Sequence, residues 1–339
     1  SDDRNNSNQS LQPMGNNLSV PGANGTSSGN TLDPNNIGGS GGTGDLQLPA
    51  GKRMMVHGSF LGEMITFTDK KIIGPTGKFI DYKELNSMGI SISCKKGLKP
   101  ESPNQDDFFI VVDTEFKIYC VCDGHGANGH YVANYVTEHL PSILTDSAEW
   151  QKGDYEEALR KGFLEVNERM NHFCETTQPE WDCHMSGCTC TVVVHLPDKL
   201  VMASCGDSRA VLGRKKKGKL CFMDLTQDDK PTLPKEKERI EANGGEVRRL
   251  EGDFPHRVFQ KGELFPGLAM SRALGDLSAA EIGVIAEPTT RTYNIDAEQD
   301  LFVLVCSDGV WEFMKSREAI ETIKKQGLSK VHKATETLA

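Results

Sequence analysis

Tyr119-Cys120-Val121-Cys122-Asp123-Gly124-His125-Gly126 is an alternating apolar run that ends in an acid, a glycine, a histidine and a second glycine. A helix-like segment follows it. The pattern is that of a strand that delivers an acid and a proton-transfer group onto a sharp turn at the edge of a core. About 185 residues later, Leu301-Phe302-Val303-Leu304-Val305-Cys306-Ser307-Asp308-Gly309 repeats the design. Two buried strands that each end in Asp-Gly can bring two carboxylates together, and hard divalent cations prefer such oxygen ligands.

Around this pair, composition sets the limits. With 339 residues and 37% hydrophobic content, the chain can fill one large core or two modest ones. A net charge of −10 argues against a nucleic-acid partner, which wants a basic surface. The longest apolar runs are about six residues, too short to span a bilayer, and no N-terminal segment has the build of a signal peptide. The first residue is Ser, so the true start and any lipidation signal there are not readable from this sequence. Most of the ten cysteines sit inside strand-like apolar runs and read as small buried hydrophobes. Reduced thiols in a cytoplasmic or nuclear setting are the expectation. A zinc reading of Cys183, His184, Cys188 and Cys190 is set aside, because the spacing fits no C-x-x-C pair.

In chain order, residues 1–50 are rich in Asn, Gly and Ser without one aromatic, and are expected to be disordered. Residues 51–88 carry scattered apolar positions, enough for an extra strand or an extension packed on the core. The globular pattern is expected from 89 to 339. It opens with an alternating strand, Gly89 to Cys94, then a hairpin of Phe108 to Val112 with Lys117 to Cys122. Helical spacing covers Asn128 to Leu144 and Tyr155 to Phe173. Strands return at Cys188–Leu196, Leu200–Cys205 and Arg209–Arg214, and a helix over Leu233 to Asn243 stops at Gly244-Gly245. Residues 246–290 read as irregular. Strands resume at Arg291–Ile295 and Leu301–Cys306, then a helix from Ser316, its candidate N-cap, and another near Ser329. This order argues for an α+β or layered fold with mainly antiparallel sheets.

Five acids lie at apparent strand ends or turns: Asp106, Asp123, Asp207, Asp276 and Asp308. Asp favours turns for its own reasons. Asp123 and Asp308 stand apart because each closes a strongly apolar strand and precedes a glycine, which lets the backbone approach closely. Beside such a carboxylate, His125 suits a general acid or base as well as a solvated side chain.

Seven ordered motifs resemble the metal-dependent serine/threonine protein phosphatases of type 2C. They are Lys99-Pro100-Glu101-Ser102-Pro103-Asn104-Gln105-Asp106, Cys122-Asp123-Gly124-His125-Gly126, Ser186-Gly187-Cys188-Thr189, Gly206-Asp207-Ser208-Arg209, the stretch from Glu238-Arg239-Ile240 to Gly244-Gly245-Glu246-Val247, Leu268 to Asp276, and Ser307-Asp308-Gly309-Val310-Trp311-Glu312. The resemblance implies a four-layer α-β-β-α sandwich, its two central mainly antiparallel sheets flanked by helices. It implies two Mn²⁺ or Mg²⁺ ions and a weaker third. Asp123 would bridge the ions, the Gly124 carbonyl would complete one site and Asp308 would bind the other ion. Asp106 and Gln105 would act through water, and Asp207 with Glu312 or Asp308 would hold the third ion. His125 would protonate the leaving alkoxide, and the substrates would be phosphorylated proteins, met by a monomer.

Two departures bear on that expectation. Many members carry a phosphate-gripping Arg where this sequence has Glu101; Lys99, or Lys95 or Lys96, is the candidate substitute, without the bidentate fork of Arg. The family also closes with a D-N-x-T strand that supplies a further ligand. The sequence to Ala339 stops before it, and a missing tail is expected. Basic residues between Thr232 and Ala286 (Lys235, Lys237, Arg239, Arg248, Arg249, Arg257 and Lys261) suggest docking of phosphorylated substrates, against a reading as mixed surface charge. The leading reading is a phosphatase acting on phosphoserine and phosphothreonine; the alternative is a pseudophosphatase, the same fold used as a binding module or scaffold.

Overall fold

A computed structural model describes residues 53–58, 69–74, 80–98, 102–252, 255–327 and 331–339. The expected disorder of residues 1–50 lies outside the described residues. Strand β1 is Met54–His57 and helix α1 Tyr82–Ser87. Strands β2 (Asp106–Val112) and β3 (Lys117–His125) lead into α2 (Gly129–Asp146), α3 (Ala148–Gln151) and α4 (Tyr155–Thr177). A run of strands follows: β4 (Gly187–Cys188), β5 (Cys190–His195), β6 (Lys199–Cys205), β7 (Arg209–Lys216) and β8 (Lys219–Asp224). Helix α5 is Pro234–Ala242; β9 (Gly245–Arg248), β10 (Arg257–Gln260), β11 (Pro266–Leu268), β12 (Leu274–Gly275) and α6 (Leu277–Ala280) come next. The described chain closes with β13 (Thr289–Asn294), β14 (Asp300–Cys306), α7 (Asp308–Trp311), α8 (Ser316–Gln326) and α9 (Val331–Leu338).

The main sheet runs β1-β2-β3-β5-β6-β13, with β4 beside β3 and β12 beside β4. Its named pairs are antiparallel. A second antiparallel sheet has the order β14-β7-β8, and a third, smaller one β11-β10-β9. Strand alternation decides the layers. One face of the main sheet (Phe109, Ile118, Cys120, Val192) packs under α2 and α4 through Leu140, Leu144, Phe163 and Met170. Its other face sends Val193, Leu200 and Met202 against Ala210, Leu212 and Leu225 of the second sheet's side. Beyond that sheet, Ala319 and Ile320 of α8 and Leu338 of α9 cover Val211, Leu220 and Phe222. The expected four-layer α-β-β-α sandwich is therefore the observed one.

Several local expectations change. Gly89–Cys94 is not in a ladder. Its Ile90 N–H bonds back to Leu85 O at the end of α1, and its Cys94 carbonyl accepts from Lys70 N–H, so a helix end and the upstream extension take the backbone groups a strand partner would use. Residues 246–290 hold four short strands and α6, brought together by Ile240, Val258, Ala273, Ala279 and Val284 in a cluster of their own. The helix from Ser316 is capped by Lys315, with Glu318 bonding back to the Lys315 N–H; the Ser316 hydroxyl instead donates to Asp224. Residues 51–88, open to either reading, do supply a strand, β1, which pairs with β2. Among the described residues no helix is long and apolar enough to cross a membrane.

Candidate active site

The β2–β3 register sets Asp106 directly opposite Asp123. Their neighbour comes from the other sheet: β14 ends at Cys306, Ser307 donates its hydroxyl to Asp106 Oδ2 at 2.8 Å, and Asp308 begins α7 within hydrogen-bonding reach of Asp123. Burial, then the charges of Asp106 and Asp308, hold the Asp123 carboxyl well above its ordinary range. Burial also raises Asp106, outweighing its Ser307 hydrogen bond. Like charges crowded out of water in this way favour protonation or a cation.

Asp207 stands in the turn between β6 and β7 and is buried. Lys230 donates to its Oδ2 at 2.6 Å, while its buried Oδ1 has no hydrogen-bond partner among the described residues. The turn is built from behind. Gly206 N–H donates to Asp229 Oδ2 at 2.9 Å, and Arg209 grips both oxygens of Asp228 at 2.7 and 2.6 Å. Burial pushes the Asp229 carboxyl up to about 7.

His125 closes β3, its Nε2 2.6 Å from Asp276 Oδ2. Asp276 is buried and takes a left-handed backbone (φ 49°) in the corner before α6, held there by its N–H to Ser186 O. Burial works against the imidazolium, but Asp276, with Asp207 and Asp308 behind it, outweighs that and raises the His125 pKa. Between Asp123 and His125, only glycine fits at position 124: a Cβ there would lie 2.4 Å from Gly129 O and 2.7 Å from Gln105 O. Gln105 spends its own amide on Gly126 O at 2.7 Å, fixing the turn. These groups face one open cleft, which runs on between residues 88–98 and β14.

The structure thus brings together Asp106, Asp123, Gly124, His125, Asp207 and Asp308, with Glu312 exposed on the cleft wall. Lys99 and Glu101 lie outside the described residues. Of the other candidate lysines, Lys95 donates to Glu336 O and Lys96 to Gly97 O. The Asp276–His125 partnership and the Lys230–Asp207 pair were not assigned from the sequence. Asp276 was visible as an acid at a turn and as the end of one motif, without a partner, and a lysine after two aspartates carries no signal of its own.

The set-aside zinc group is not assembled. His184 is exposed, and Cys183 Sγ lies against Asn171 and Cys174. Cys190 instead meets Cys120 at 3.6 Å in the core under α2, where burial pushes both thiols up. The basic stretch is largely self-satisfied. Arg239 bonds Glu236 and the carbonyls of Gly283 and Ser271, Arg248 pairs with Glu246 at 2.8 Å, and Arg257 donates to Gly267 O. That favours mixed surface charge over a docking face.

The family model described as protein phosphatase 2C matches residues 95–339. "Probable protein phosphatase 2C 35" of Arabidopsis thaliana is 32% identical over 262 residues, covering 70% of this chain and 73% of that protein. "Probable protein phosphatase 2C 64" of Oryza sativa subsp. japonica is 39% identical over 208 residues, 60% of this chain but 48% of that protein, so the chain spans about half of that relative's length. Among solved structures, a serine-threonine phosphatase 2C from Toxoplasma gondii shares the fold with a TM-score of 0.60 at 21% identity, covering 69% of this chain and 82% of that one. With seven motifs in order, the sandwich they imply and a family match over its last 245 residues, this chain belongs to the protein phosphatase 2C family and is a protein phosphatase.

Proposed function

We propose that this phosphatase hydrolyses phosphoserine and phosphothreonine in proteins, using two Mg²⁺ or Mn²⁺ ions and a weaker third. One observation carries the reading: Asp106, Asp123 and Asp308 converge, burial and neighbouring charge raising the carboxyls of Asp106 and Asp123, and Asp207 adds a buried oxygen without a hydrogen-bond partner among the described residues. That donor set is hard oxygen throughout, the chemistry Mg²⁺ and Mn²⁺ select. Asp123, the Gly124 carbonyl and Asp308 would hold the two ions, with Asp106 beside them and Asp207 and Glu312 toward the third. The bound ions would neutralise phosphoryl charge and make a water more acidic.

The remaining work falls to the chain. A phosphate monoester resists hydrolysis strongly, so the barrier must drop by many kcal/mol. The new P–O bond forms from the oxygen of an attacking water, and the P–O bond to the Ser or Thr oxygen breaks. That alkoxide is a poor leaving group and needs a proton. His125 carries it: Asp276 holds the ring at Nε2 and favours the imidazolium, and the Nδ1–H is the proton offered to the leaving oxygen. The products are inorganic phosphate and a free hydroxyl. Free thiols at all ten cysteines support a reducing setting, the cytoplasm or nucleus.

The test is phosphate release from a phosphoserine or phosphothreonine peptide by the full chain, with and without Mn²⁺. Release that depends on Mn²⁺ is expected. No metal-dependent release would leave the fold as a binding module and sink this reading.

A further inference from the structure

Strand β2 begins with two acids, and the pleat sends them to opposite faces. Asp106 faces Asp123 and Ser307. Asp107 is buried (1% exposed) on the face that carries Phe109 and Val111 under α2, where Asn134 donates to its Oδ2 at 3.4 Å and the Phe108 N–H to its Oδ1 at 2.8 Å. Among the described residues Lys70 is a cation that meets it, with Nζ to Oδ2 at 3.2 Å. The two side chains are 3% and 0% exposed. A carboxylate this deep is tolerated only when paired.

Lys70 comes from outside residues 95–339, the range the family model matches. The segment that delivers it is stitched to β2 and its surroundings. β1 pairs with β2 from Met54↔Val112 to His57↔Phe109, and the Gly58 N–H continues the contact to Phe108 O at 3.2 Å. Lys70 N–H donates to Cys94 O at 2.9 Å, and Asp69 accepts from Lys96 N–H at 2.7 Å. Met54, Val56, Leu85 and Ile90 pack the extension on Ile110 and Val112. The extension therefore grips the strand whose first residue enters the acidic centre.

We infer that Lys70 is a positioning residue for the metal centre: by anchoring Asp107 on one face of β2, it aims Asp106 from the other face at the divalent ions. The inference rests on the proposed metal-dependent reading. Direct hydrogen-bonding partners of a metal ligand change metal affinity by about 10–100-fold when lost. Lys70 acts one step further back, through Asp107 and the β2 backbone to Asp106, so the lower end, about 10-fold, is the effect assigned to it.

The experiment is direct calorimetric titration of Mn²⁺ into the full chain, with folding checked by circular dichroism. Lys70→Met is expected to weaken Mn²⁺ binding about 10-fold. It should also raise the Mn²⁺ concentration needed for half-maximal activity, with KM for a phosphopeptide unchanged at saturating Mn²⁺. Leu85→Ala opens the extension's own core without touching Asp107, and its Mn²⁺ affinity should match the wild type. Equal Mn²⁺ affinity in Lys70→Met and wild type overturns the inference. So does an equal loss in Lys70→Met and Leu85→Ala, which makes the role merely structural. If Lys70→Met does not fold, Gly58→Ala decides. Its Cβ would lie 2.3 Å from Asp107 Oδ1, with the Phe108 ring at 2.9 Å, and push that carboxylate without removing a charge. Weaker Mn²⁺ binding supports the inference, and unchanged binding overturns it. A wild-type chain that binds no Mn²⁺ removes the metal reading itself, and the inference with it.

Discussion

Asp106, Asp123 and Asp308 meet carboxylate against carboxylate, and burial with their mutual charge raises Asp106 and Asp123. Glu236, in α5, is buried too but lies between cations. Arg272 donates at 2.7 Å, Arg239 at 2.6 Å and the Ser271 hydroxyl at 2.7 Å. Burial works against its charge, yet these partners win and hold the Glu236 carboxyl down at about 2. The same residue chemistry thus serves two ends. An acid cluster left short of cations inside the protein weakens the fold and, on the proposed reading, is relieved by a bound cation; one ringed by guanidinium groups secures the fold.

The sharpest break of this contrast is Asp123→Asn. On the proposed metal-dependent reading, phosphopeptide kcat/KM should fall by about 10⁴-fold or more, because the bound ions would carry much of the barrier reduction. Urea unfolding of the metal-free protein should show a gain of roughly 1 kcal/mol, because one repelling carboxylate is gone. A loss of stability on that substitution would contradict the picture of an unrelieved cluster. His125→Gln comes next. Rates on phosphopeptides should drop about 10²–10⁴-fold, and rates on an aryl phosphate, whose leaving group needs less protonation, much less. Equal losses on both substrates would remove His125 from the general-acid role.

Glu236→Gln should do the reverse of Asp123→Asn. Its expected cost is about 3 kcal/mol at pH 7, read as a lower urea midpoint, because it leaves Arg239 and Arg272 facing a neutral amide. Turnover per folded molecule should stay within a few-fold of wild type. The smallest effect is in pH. Its partners hold the Glu236 carboxyl down at about 2, against an ordinary glutamate value of 4.5, so its contribution is complete above about 4.5 and is lost as pH falls toward 2. The stability gap between wild type and Glu236→Gln should be full at pH 7 and shrink across that interval. A gap that stays constant to pH 3 would show that the ion pairs are not its source.

Much of this was legible in the chain. The apolar runs ending in Asp123 and Asp308, the helix spacing of Val132, Val136 and Leu140, and the turn at Gly206-Asp207 all rest on local periodicity and turn chemistry. The short strands β9, β10 and β11 were not legible. With three or four residues each they have too little periodicity to read, and they stand because Ile240, Val258 and Ala273 collect them. Gly89–Cys94 misled for the opposite reason: its alternation is clean, but neighbouring backbone from α1 and residue 70 takes its hydrogen bonds.

By itself, then, the sequence determined the two acid-terminated strands, the glycine that must follow Asp123, the mainly antiparallel class and, through ordered motifs, the family. Only the tertiary structure decided which charges meet. Ser307 reaches Asp106 across 201 residues, Asp276 reaches His125 across 151, and Lys70 reaches Asp107 across 37. The physical reason is one of range. Hydrophobic period and turn propensity act over a few neighbouring residues, whereas the state of a buried charge depends on whatever lies within a few ångströms, however far away in the chain.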